Sequence, residues 1–86
     1  MQISIELSLY PLAEQQYKDE IWQFINNLKQ HSSMKVVTNG MSTQVFGEYD
    51  ETLAIVTGEM KKVHQAVDSA VFIMKIIAAD RLREYE

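Results

Sequence analysis

The opening stretch MQISIELSLY alternates without a break: Ile3, Ile5, Leu7 and Leu9 fall on one parity, Gln2, Ser4, Glu6, Ser8 and Tyr10 on the other. A period of two marks a strand buried on one face and open on the other, so this chain must build a sheet and cover one side of it. Pro11 has no amide hydrogen to give to a ladder, and the strand is expected to end near Tyr10. From about Glu14 the period becomes helical, with Tyr17, Ile21, Phe24, Ile25 and Leu28 on one stripe and Lys18, Asp19, Gln23 and Asn27 outside it. His31, Ser32 and Ser33 close that helix.

Met34 to Thr38 is a short β-branched run, and Asn39-Gly40 follows it. That dipeptide tolerates positive φ and predicts a two-residue type I′ hairpin turn, with a return strand from Met41 to about Glu48. Asp50 and Glu51 then read as the capping start of a second helix, whose core stripe is Leu53, Val56, Met60, Val63 and Val67. Ser69 to Ile77 gives the last strand. The order βαββαβ predicts an α+β, ferredoxin-like sandwich, an antiparallel sheet with two helices on one face and its first and third strands as central neighbours. Its 86 residues suffice for one such domain, spanning 1–86.

Parity assigns the faces. Pairing across the expected turn puts Glu6, Ser8, Tyr10, Val37, Ser42, Gln44, Phe46 and Glu48 on the open face, and turns Val36, Met41, Thr43 and Val45 toward the helices. The last strand, AVFIMKII, is apolar at nearly every position, so Val71, Ile73 and Ile77 would lie bare on a sheet covered on one side. A second copy is expected to cover them, giving a homo-oligomer, dimer or tetramer; the alternative is an edge strand buried under the C-terminal AADRLREYE.

The formal net charge of -4 opposes a phosphate-tracking surface, so no nucleic acid is expected, and a neutral or cationic small molecule suits it better. With no cysteine, disulfides, thiolate metal sites and thiol nucleophiles are all excluded. His31 and His64 lack partners at ligand spacing, which predicts no metal site and a solvated role for both. Gly47 reads as a bulge or a close helix approach, and Met34, Met41, Met60 and Met74 as core filler. No phosphate loop, nucleophile elbow or His-carboxylate pair occurs, so no catalysis and no cofactor are expected. An enzyme of acylphosphatase-like shape would want a basic anion loop after the first strand, and YPLAEQQ has none. No apolar run approaches the ~20 residues that span a bilayer, and no basic-then-apolar leader is present, so a cytoplasmic protein without a membrane partner is expected.

The stretch IELSLYPL, Ile5 to Leu12, followed by NGMSTQVFGE, Asn39 to Glu48, resembles the YkoF-like thiamine-binding protein family. These are small ferredoxin-like domains that bind thiamine or its hydroxymethylpyrimidine part, and the likeness runs over essentially the whole chain. It implies a ligand site at or near Ser8 and Tyr10 with Asn39, Met41, Ser42 and Thr43. An aminopyrimidine presents an amine donor beside ring-nitrogen acceptors, and Glu6, Ser8, Ser42, Gln44 and Glu48 offer the matching oxygens and donors. Tyr10 or Phe46 could stack on the ring, and carboxylates suit the thiazolium cation. Parity sends Thr43 away from the face that carries Ser42, so which of the two meets the ligand stays open. The expectation is a non-catalytic binding protein for transport, sequestration or sensing, and the alternative an interaction or regulatory module whose sheet face only pairs subunits.

Overall fold

The computed structural model describes residues 1–11, 17–67 and 69–84. The elements are β1 (Gln2–Pro11), α1 (Tyr17–Lys29), β2 (Lys35–Thr38), β3 (Thr43–Glu48), α2 (Tyr49–Ala66), β4 (Ala70–Ile77) and a final turn of helix, α3 (Arg81–Glu84). The expected start of α1 near Glu14 falls outside the described residues. All strand pairs are antiparallel, in the order β2-β3-β1-β4, which is the ferredoxin-like arrangement with β1 and β3 at the centre.

The buried parity of β1 makes the core. Ile3, Ile5 and Leu7 pack with Val45 against Phe24, Ile25 and Leu28 of α1 and Val56 and Val63 of α2. At their extreme, Ile3, Val45, Leu28 and Val56 are wholly out of contact with water. Phe72 of β4 meets the ring of Phe24 at 5.2 Å and 57°, and receives His64 edge-on at 5.2 Å. Contacts of this offset and tilted kind suit aromatic quadrupoles better than face-to-face stacking.

The hairpin differs from expectation. Thr38 pairs with Thr43, so residues 39–42 form the connection and β3 begins two positions later than a two-residue turn requires. No described residue has positive φ, which removes the type I′ turn. The loop is closed instead by the Asn39 side chain, whose Oδ1 accepts the amides of Met41 at 2.8 Å and Ser42 at 3.2 Å. This is an Asx turn, in which a side-chain carbonyl stands in for backbone. Met41 consequently sits on the loop, 89% exposed, and is neither helix-facing nor core filler. A register shift of two residues preserves parity, so Gln44 and Phe46 keep the open face and Thr43 and Val45 the helix face.

Pro11 still pairs, with Ala70, so β1 runs one residue past its expected end. Gly47 lies in an unbroken register opposite Ile3, which rules out a bulge. A Cβ there would collide with Thr52 Oγ1 and come within 3.2 Å of Met34 Cβ, so close helix approach is the reason for glycine. The α2 cap is also different from the sequence expectation. Glu48, not Asp50 or Glu51, is the N-cap, its carboxylate accepting the Glu51 amide at 2.8 Å. Those amide bonds, from Glu51 and then Asp50, hold the Glu48 carboxyl below the usual range.

Neither histidine is merely solvated. His64 Nε2 donates to the Ala70 carbonyl at 3.0 Å. His31, just after α1, donates to Glu59 Oε2 of α2 at 3.1 Å; Lys62 donates to the same oxygen at 3.3 Å, and its ammonium lies 3.2 Å from Oε1. Glu59 is only 6% exposed, and burial alone would push its carboxyl up. The His31 and Lys62 hydrogen bonds and charges outweigh that and hold it low.

Candidate functional site

The helices cover one face of the sheet, and the other carries a trench. Along its floor the alternate residues of β1 stand beside their register partners: Ser4 between Phe46 and Ile77, Glu6 between Gln44 and Lys75, Ser8 beside Ile73, and Tyr10 beside Val71. The C-terminal segment folds over one end. Ser4 is buried there, donating to the Ala79 carbonyl at 2.7 Å and accepting the Arg81 amide at 2.9 Å. One hydroxyl thus ties α3 across the open face. Phe46, 9% exposed, lies at this closed end and not beside Tyr10, so Tyr10 is the aromatic ring left for stacking near Ser8.

The trench holds two clefts that share Glu6 and Lys75. The smaller, of about 280 Å³, is lined by Glu6, Ser8, Tyr10, Met41, Ser42, Ile73 and Lys75. The larger, of about 560 Å³, runs under α3 and is lined mainly by Ser4, Gln44, Phe46, Ile77, Arg81 and Leu82 beyond the shared pair. Glu6 is the hinge of both. Its Oε2 accepts Ser42 Oγ at 3.0 Å, and its Oε1 faces Lys75 Nζ at 3.6 Å.

Of the residues singled out from sequence, Glu6, Ser8, Tyr10, Met41 and Ser42 come together in the smaller cleft, and Gln44 stands in the larger one. Asn39 and Thr43 do not line either. They border a third hollow of about 240 Å³ beneath the hairpin loop, against Phe24 and Ile25 of α1, and Ser8, Tyr10, Met41 and Ser42 line that hollow as well as the smaller cleft. Thr43 is 5% exposed and its hydroxyl lies 2.8 Å from Thr38 Oγ1, while Asn39 spends its carbonyl on the loop. Glu48 is spent on its helix cap. The residues missed from sequence are Lys75, Ile73, Ser4, Arg81 and Leu82. Lys75 had a signal, being the one charged residue in AVFIMKII. Ile73 lies beside Ser8 on the open face, as its parity requires, while Ser4, Arg81 and Leu82 line the larger cleft because the tail crosses the sheet.

This floor can recognise a flat, nitrogen-rich cation. A half-exposed carboxylate supported by a hydroxyl accepts amine hydrogens, Ser8 can donate or accept, and Tyr10, 50% exposed, offers a ring face. Among the described residues no group of three or more His, Cys, Asp or Glu could hold a metal, and no helix is long and apolar enough to cross a membrane.

The fold and site define a ferredoxin-like α+β domain with a trench of mixed polar and apolar lining across its open sheet. The chain belongs to the thiamine-binding protein family, whose profile matches residues 5–83. Among solved structures it is similar to a protein of Streptococcus pneumoniae, at 26% identity and TM-score 0.84 over 95% of this chain and 91% of that one. A protein of Methanocaldococcus jannascii is 27% identical with TM-score 0.78, over 93% and 82% of the two chains. A Thermotoga maritima protein, described as a candidate for thiamine biosynthesis or salvage, shares the fold at TM-score 0.84 and 17% identity, over 99% and 96%. No curated protein gives a significant match.

Proposed function

We propose that this protein binds thiamine or its hydroxymethylpyrimidine part, without catalysis, in the smaller cleft of the open sheet face. The observation that carries the reading is the Glu6 carboxylate, exposed on the cleft floor, supported by Ser42 at 3.0 Å and set among Ser8 and Tyr10 in a member of the thiamine-binding family. The aminopyrimidine amine donates to Glu6, Ser8 serves a ring nitrogen, and Tyr10 stacks on the ring. Ser42 rather than Thr43 supports the ligand, since Thr43 faces the helices.

Binding is completed by a second copy of the chain. Val71, Ile73 and Ile77 are 41%, 54% and 40% exposed on the same face, and covering them would roof the trench. The soluble carrier or sensor so formed works in the cytoplasm. Calorimetric titration with thiamine and with hydroxymethylpyrimidine tests the reading. Binding tighter than millimolar, weakened by Glu6→Gln, supports it; absence of binding leaves the face as a surface for subunit pairing alone.

A further inference from the structure

The trench contains a charge that an unphosphorylated ligand does not use. Lys75 stands directly opposite Glu6 in the sheet register, and its ammonium lies 3.6 Å from Glu6 Oε1, beyond ordinary hydrogen-bond range. Its side chain is 79% exposed, against 43% for Glu6. Glu6 is thus held on one oxygen by Ser42 at 3.0 Å and faces an exposed cation on the other at 3.6 Å. Both residues line both clefts, and the larger cleft, under α3, adds a second cation, Arg81, to its wall.

Resting on the binding reading above, we propose that Lys75 makes the site selective for a phosphorylated ligand, an aminopyrimidine or thiazolium compound carrying a phosphate ester. The charges favour it. Glu6 and Lys75 neutralise each other across adjacent strands. A cationic ligand that takes Glu6 displaces Lys75 and leaves an additional positive charge in the trench, which opposes its own binding. A phosphate ester on the same ligand reaches past Glu6 into the larger cleft and gives Lys75 a new partner, so the site returns to balance. In this division the ring system occupies the cleft of about 280 Å³ and the tail extends into that of about 560 Å³. Lys75 therefore acts as a specificity residue, penalising the bare cation and rewarding the phosphate.

The test is titration of the full chain, its Lys75→Met variant and its Lys75→Arg variant with thiamine and with thiamine monophosphate, at low and at physiological salt. The parent should bind the monophosphate about fivefold more tightly than thiamine or better, the usual worth of one partly exposed charge contact. Lys75→Met should bring that ratio close to one, Lys75→Arg should keep it, and salt should reduce it. A parent that binds both ligands equally or prefers thiamine overturns the inference and leaves the thiamine reading standing. A preference that survives in Lys75→Met also overturns it. Binding of neither ligand by the parent overturns the inference, and titration with hydroxymethylpyrimidine then separates that failure from failure of the reading beneath it, which falls only if that ligand is not bound either.

Discussion

At the scale of single residues, Ser42 and Thr43 are neighbours with opposite duties. Ser42 donates to Glu6 on the open face, and Thr43 is sealed against Thr38 on the helix face. Ser42→Ala should therefore weaken thiamine binding about fivefold while stability holds, because one neutral hydrogen bond is worth ~1 kcal/mol. Tyr10→Ala should cost a similar factor through lost stacking. Thr43→Ala should do the reverse, lowering stability in urea denaturation with affinity intact. Glu59 makes a second residue-scale test. Its folded pKa lies below the ordinary 4.5, so the stability it contributes is present above that pH and lost as pH falls through the folded value. His31→Ala should lower unfolding free energy by about 1 kcal/mol at neutral pH, a modest figure because His31 is 37% exposed. The gap between parent and variant should close as Glu59 protonates; a gap independent of pH would mean that His31 acts by packing alone.

At the scale of elements, the hairpin and the β3–α2 junction separate what glycine does from what it is expected to do. Gly40 has no positive φ and open space around it, so Gly40→Ala should change stability by less than about 0.5 kcal/mol. Gly47→Ala must displace Thr52 or Met34 and should cost about 1–3 kcal/mol, read by thermal or urea unfolding. The strands, helices and faces were legible in the sequence because a period of two in β1 and of 3.6 in the helices survives any even register shift. The turn was not, because the Asn39 amide replaced the backbone geometry that Asn-Gly usually signals. Nor was the closed end of the trench, since Ser4 reaches Ala79 and Arg81 across nearly the whole chain and no local pattern encodes that contact. His31 and Glu59 escaped for the same reason, as their contact joins the segment after α1 to the middle of α2.

At the scale of the whole molecule, one sheet face carries both the trench and the bare side chains of β4. Ile76 adds to that edge at 46% exposure although it points to the helix side, because among the described residues no further strand lies beyond β4. Sedimentation at micromolar concentration should give a mass above the 9.9 kDa of one chain, and Ile73→Lys should shift it toward the monomer. A parent that sediments as a stable monomer would remove the roof from the trench and confine the ligand to contacts within one chain. The central claim is that Glu6, set by Ser42 on an open sheet face, holds a thiamine-type ligand. Calorimetric titration of thiamine into the parent and the Glu6→Gln variant tests it most directly: the parent should bind more tightly than millimolar and the variant at least about tenfold more weakly, since a charge-assisted hydrogen bond is lost. Equal affinity in the two proteins, or no binding by the parent, would contradict it.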